Sequence, residues 1–283
     1  MHDWQSSEEI IRDTFYLSKT LHICIGASIW EYVSTFDYEW AVLRGKRRYL
    51  WTIWVHSGCR LSMLLCFLLF VVQQSGWMAW NCTAFYISAL AASYVSLGLA
   101  SLLIVFRVLA VWERRKPIIV VSYLVLTISI VLNIRDLTLL RAYYSSDFHS
   151  CIAYDTLEFV PNVAGVLASD ALLLVLMLVG ILRMREARHF GIARFLYRQG
   201  VVWLLLVMIV EIPALIFAIL HLNDPLTSML QPVEVVSLGI CATRMHRGLS
   251  DYTFAPGPSL EMGPMQFTPH PSSIKDPRQL HDA

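Results

Sequence analysis

The chain has 283 residues, of which 57% are hydrophobic and only 15% charged, and its mean hydropathy is +0.57. Soluble domains average about 45–50% apolar and about 25% charged residues, so this composition leaves too little polar surface to cover a water-exposed fold. An ordinary cytosolic enzyme, a nucleic-acid binder and a disordered chain are excluded, and the net charge of +1 conceals how the charges are arranged.

Residues 1–19 are polar and acidic and lack the basic flank and apolar core of a cleavable signal peptide. They are expected to form an extracellular segment, with the first apolar stretch acting as the targeting signal. A helix that crosses a bilayer takes about 17–25 mostly apolar residues. Seven such stretches follow, at 20–36, 52–72, 84–106, 118–134, 161–182, 200–220 and 226–243. Pro117 suits the first turn of the fourth, where no amide donor is missed. The tail from Asp251 holds six of the chain's 11 prolines and is expected to be a disordered cytoplasmic segment, 251–283. The fold expected is all-α, a seven-transmembrane helix bundle occupying 20–250.

Basic residues in the loops orient such a bundle, because they stay on the cytoplasmic side. Arg44, Lys46, Arg47 and Arg48 fall in the first loop, and Arg107, Arg114, Arg115 and Lys116 about the third. Arg183, Arg185, Arg188, Arg194 and Arg198 fall about the fifth, and Arg244, Arg247, Lys275 and Arg278 about the tail. Together they are 17 of the 22 basic residues. The N-terminus is therefore expected outside and the C-terminus in the cytoplasm.

Two outer features agree. Asn81-Cys82-Thr83 is a glycosylation sequon in a predicted outer loop, close to the start of the third helix. Cys82 and Cys151 alone among the six cysteines face an oxidising compartment, so a Cys82–Cys151 disulfide is the economical pairing, with two free thiols as the alternative.

The layout resembles that of G-protein-coupled receptors, but the rhodopsin-like signatures are mostly missing: the third helix ends Phe106-Arg107-Val108, and Glu211 stands two residues before Pro213. Closer is the run from Glu31 to Trp40, followed by a basic stretch and by Cys59-Arg60-Leu61. With Arg107-Val108-Leu109-Ala110-Val111-Trp112 and Leu196-Tyr197-Arg198-Gln199-Gly200, it resembles a fungal, mostly basidiomycete, family of multi-pass membrane proteins with an N-terminal domain of unknown function. That resemblance spans roughly residues 30–250. It implies seven membrane helices and no particular activity.

Ionisable residues inside a bilayer cost several kcal/mol unless paired, and so mark functional sites. At a rise of about 1.5 Å per residue, Asp170, Glu211, Glu234 and Arg60 fall in one mid-depth layer. Three acids against one arginine point to a polar pocket in which an acid is protonated, solvated, or awaiting a cationic ligand or ion. Arg60 fits better in an inner-face clasp with Asp37 and Glu39, reached by snorkelling. Glu31 is a further candidate for that clasp.

No metal site, cofactor or enzymatic activity is expected. The four lysines fall outside the seven apolar stretches, so no retinal Schiff base is expected. Gly-x-Ser-x-Gly, His-Glu-x-x-His and phosphate-loop motifs are absent. The expected partners are the lipid bilayer of the plasma membrane or another secretory-pathway membrane, an unknown ligand, and a cytoplasmic signalling protein at the basic inner loops. The function expected is receptor-like sensing, with Tyr143, Tyr144, Phe148 and Tyr154 of an outer loop (135–160) roofing the pocket. The alternatives are a proton- or cation-coupled transporter and a structural membrane protein.

Overall fold

The computed structural model describes residues 6–45, 51–74, 81–145, 150–154, 156–187, 191–220 and 223–254. Among them run seven long helices: α1 (Ser7–Leu43), α2 (Thr52–Gln74), α3 (Cys82–Val111), α4 (Lys116–Leu139), α5 (Val160–Ala187), α6 (Gly191–Leu220) and α8 (Gln231–Phe254). A short helix, α7 (Asp224–Ser228), precedes α8. Strands β1 (Arg141–Ser145) and β2 (Ser150–Tyr154) and a 3-10 turn, Thr156–Phe159, link α4 to α5. The expected tail beyond Phe254 lies outside the described residues.

Local chemistry sets several helix ends. Ser6 caps α1 by accepting from the Glu9 amide at 3.4 Å, and Glu8 and Glu9 sit in the first turn, where acids favour the helix. The helix therefore starts at Ser7, well before the apolar stretch. Much of residues 1–19, expected as an extracellular segment, is helical and continuous with the rest of α1. There Asp13 is buried and accepts a 2.7 Å hydrogen bond from Asn223 Nδ2, while Asn223 Oδ1 caps α7 through the Leu226 amide at 2.8 Å.

At its other end, α3 closes in a Schellman turn: the Arg114 amide reaches Leu109 O at 3.0 Å and the Glu113 amide reaches Ala110 O at 3.4 Å. Glu113 and Arg114 both take left-handed backbone angles, with φ of 51° and 57°. Pro117 then occupies the first turn of α4.

Helix α3 is central, packing against α2, α4, α5 and α8, while α6 lies against α5 and α8, and α1 against α2 and α8. Cys59, Ala100, Val105 and Val108 are fully buried in the main core. Gly180 allows α5 to approach the end of α3. A Cβ there would stand 2.6 Å from Val111 Cγ1 and 2.7 Å from Trp112 Nε1.

The outward faces are apolar: Trp30, Leu61, Val120, Ile209 and Ile219 are all well exposed. Five helical segments, Thr52–Val72, Cys82–Val111, Lys116–Leu139, Val160–Arg183 and Asp224–Gly248, are long and apolar enough to cross a membrane. Leu206–Leu220 is a shorter apolar stretch within α6. Apolar helices with apolar outer faces fit a lipid bilayer and identify the chain, at that level, as a mainly helical membrane protein.

The region expected as an outer loop contains an antiparallel hairpin with Tyr144 opposite Cys151. Its strands, Arg-Ala-Tyr-Tyr-Ser and Ser-Cys-Ile-Ala-Tyr, carry aromatic and β-branched residues suited to a pleated ribbon. The Thr83 hydroxyl donates to Ala142 O at 2.8 Å, which ties the hairpin to the start of α3.

Candidate functional site: an intramembrane acid centre and a charged helix clasp

Asp170 on α5, Glu211 on α6 and Glu234 on α8 are all buried, with 1%, 2% and 8% of their surface exposed. Asp170 lies ten residues into α5 and Glu211 nine before the end of α6, each about 14–15 Å along its helix. Glu234 lies three residues into α8, and Glu211 interacts with both Asp170 and Glu234.

Asp170 and Glu211 form the tight part of this group, within hydrogen-bonding reach of each other. The Ser101 hydroxyl of α3 donates to Asp170 Oδ1 at 3.0 Å. Asp170 Oδ2 and both Glu211 oxygens receive no hydrogen bond from a donor group of the protein. Two buried carboxyl groups that face each other without a donor between them need a shared proton or a bound cation. Glu234 stands further off. Among the described residues, no three His, Cys, Asp or Glu side chains converge closely enough to hold a metal ion. The arrangement suits a proton or a single cationic group.

Two interruptions flank this centre. Pro213 lies inside α6, where it removes the hydrogen bond to the Ile209 carbonyl two residues before Glu211. The last apolar span breaks at Met229–Leu230, which places Glu234 in the first turn of α8.

Arg60 does not join the acids. It is 2% exposed, and its Nη1 donates to Glu39 Oε1 at 2.8 Å. Its Nη2 donates to Tyr32 O at 2.7 Å and Glu31 O at 3.3 Å, and the guanidinium lies 4.7 Å from the Tyr32 ring centre. This joins α1 to α2. Asp37 is exposed and, among the described contacts, takes no part in the clasp.

The Glu31 carboxylate makes a second junction, to α8, while its backbone carbonyl stays with Arg60. Arg244 Nε donates to Oε1 at 3.0 Å and to Oε2 at 3.2 Å, and Nη2 donates to Oε2 at 2.5 Å. Beside these pairs, His56 Nδ1 is 3.7 Å from Glu39 Oε1, its ring is 5.5 Å from that of His246, and His246 Nε2 is 3.1 Å from Thr52 Oγ1. The charged network thus ties α1, α2 and α8 in the half of the bundle where α1 ends, α2 begins and α3 gives way to α4; Arg44, Arg114, Arg115, Lys116 and Arg183 lie at the helix ends there, called here the basic end.

Sequence reasoning missed three elements of this chemistry. Arg244 is legible in the sequence only as a basic residue of the tail, because nothing local links it to Glu31. Arg107, legible there only as a charge about the third loop, is 7% exposed. Asp136, expected in a loop, is buried in α4 and accepts from Tyr94 at 3.3 Å, while Asn162 Nδ2 donates to Asn133 Oδ1 at 3.1 Å. Asn133 and Asp136 lie three apart, a spacing that places them on one helix face and was available as a signal.

Of the outer candidates, Asn81 is exposed and caps α3 by accepting from the Ala84 amide at 3.2 Å. Cys82 is buried and is not a free thiol, whereas Cys24, Cys59, Cys66 and Cys241 are free. The side chains of Cys151, Tyr143, Tyr144, Phe148, Tyr154, Arg185, Arg188, Arg194 and Arg198 lie outside the described residues.

No protein-family model matches the chain, and no curated protein matches it.

Proposed function

We infer that the chain is a seven-span, receptor-like membrane protein that responds to a small cationic ligand at the Asp170–Glu211 pair. The observation that carries this reading is the pair itself: two buried carboxyl groups in mutual reach, with three of their four oxygens receiving no hydrogen bond from a donor group of the protein. An ammonium group on a ligand supplies both the charge and the donors that this arrangement lacks.

In this reading α1 is the first span and the full length of α6 the sixth. The basic end is cytoplasmic and the hairpin end faces outside, as the distribution of Lys and Arg supports. A Cys82–Cys151 disulfide holds the hairpin over the bundle. It is supported by Cys82 not being a free thiol and by the packing of β2 against α3. The likeness to fungal multi-pass proteins is part of the same proposal. Ligand binding draws α5 and α6 together around the new charge, and Pro213 lets the basic half of α6 move relative to α3. That movement is what a cytoplasmic signalling protein reads.

The interrupted last span, with Glu234 in the first turn after the break, favours a second reading, cation-coupled transport. One paired experiment separates the two. Nitroxide labels at Arg115 and Val202 report spacing in nanodiscs, and a pH-sensitive dye reports flux in liposomes, each on adding ethylammonium chloride as the probe. The receptor reading expects a spacing change with no proton or cation flux. Flux abolished by Glu211→Gln establishes transport, and the absence of both signals overturns the proposal.

A further inference from the structure

The basic end contains a guanidinium that the clasp does not use. Arg107 is buried near the end of α3, four residues before Val111 and hence about 6 Å from the helix terminus. Its Nε and Nη2 have no hydrogen-bond partner. These two nitrogens form one edge of the guanidinium plane, and both N–H bonds point the same way.

The same edge has an occupant in Arg244, whose Nε and Nη2 together grip the Glu31 carboxylate. Arg107 presents the identical fork without an oxyanion in it. Among the described residues, the buried and half-buried acids of this end are committed elsewhere, Glu31 to Arg244 and Glu39 to Arg60, and Asp37 is exposed. Glu113 is exposed on the turn beyond. His246 lies within electrostatic range of Arg107 and adds no negative charge. A buried cation with two orphan donors is costly, and a two-oxygen anion removes that cost.

We propose that Arg107 is the core of a phosphate-binding site at the basic end of the bundle, gripping two oxygens of one phosphate group through Nε and Nη2. Depth and surroundings select phosphate over carboxylate. The fork lies about one helical turn inside the basic end, whose helix ends carry Arg114, Arg115, Lys116 and Arg183, at the level where headgroup phosphates meet a helix bundle. This level rests on the membrane reading above, but the site is independent of the acid centre. A phosphomonoester headgroup and inorganic phosphate present the same chemistry.

The test uses the full chain and the sign of a stability change. In detergent without phosphate, Arg107→Met removes an unpartnered buried charge and is expected to raise Tm, whereas a merely structural arginine would lower it. Adding inorganic phosphate, or phosphatidic acid in phosphatidylcholine nanodiscs, is expected to raise the Tm of the unaltered protein by about 5 °C at a hundredfold excess over Kd. The variant should not respond. Arg107→Lys, which keeps the charge without the fork, should retain only a small part of the response, and Arg115→Gln should retain it in full. A response to phosphatidic acid but not to free phosphate identifies a headgroup as the source; the reverse identifies a soluble anion. The proposal is overturned if Arg107→Met responds like the unaltered protein, if acetate matches phosphate, or if Arg107→Met is destabilised and the unaltered protein responds to neither phosphate. Loss of the ethylammonium response in Glu211→Gln bears on the acid centre alone.

Discussion

Removing either partner of the Glu31–Arg244 junction breaks the same hydrogen bonds, yet the two changes should differ in cost. The Glu31 side chain is 4% exposed and that of Arg244 is 45% exposed. Arg244→Leu leaves a buried carboxylate with its charge uncompensated, the situation that costs about 3–5 kcal/mol when a buried pair is broken. Glu31→Gln keeps the shape and leaves an arginine that water already reaches, so its cost is about 1 kcal/mol, the scale of an exposed pair. The double variant should recover part of the larger loss, because the buried charge goes with its partner. The coupling is expected at about 1.5–3 kcal/mol, the range for hydrogen bonds to charged groups. Thermal and denaturant unfolding of the four proteins in one detergent measures it. A loss in Glu31→Gln equal to or above that in Arg244→Leu, or a coupling below about 0.5 kcal/mol, would refute the reasoning.

Other expectations follow from single contacts. Gly180→Ala forces a Cβ to within 2.7 Å of Trp112 Nε1 and disturbs its 2.9 Å hydrogen bond to Leu176 O, so it should destabilise by about 1–3 kcal/mol in the same unfolding assay. Glu113→Gly relieves a left-handed residue in the Schellman turn and should stabilise by about 1 kcal/mol. Asn223→Ala deprives α7 of its cap and buried Asp13 of its donor, with an expected loss of about 2 kcal/mol and faster amide exchange in α7.

Much of the helical architecture was legible because lipid-facing and core-facing residues are both apolar, so hydropathy runs mark the helices without regard to partner. The same fact hid the ends. Hydropathy cannot register Ser6, whose capping oxygen begins α1 in polar sequence, or the two polar residues that close α3 in left-handed geometry. The hairpin was missed because its five-residue strands are short and were read as loop, although Tyr143-Tyr144 and Ile152 are residues a ribbon favours.

The charged residues were legible in kind but not in pairing. Asp170, Glu211 and Glu234 stood out as intramembrane acids, and helical rise alone predicts a common depth for them. That Asp170 and Glu211 meet while Glu234 stands off depends on helix rotation, which no local pattern encodes. Arg60 with Glu39 was within reach because a short loop joins their helices. Glu31 with Arg244 joins residues 213 apart, and only the assembled bundle brings them together.

The central claim, that the Asp170–Glu211 pair is built to receive a positive charge, is tested most directly by the Tm of the unaltered protein and Glu211→Gln in nanodiscs, with and without ethylammonium chloride at constant ionic strength. The glutamine amide supplies the donor that Asp170 Oδ2 lacks, so the variant should be more stable than the unaltered protein without the probe and unresponsive to it, while the unaltered protein gains stability on its addition. A variant less stable than the unaltered protein, or one that responds equally to ethylammonium, would contradict the account.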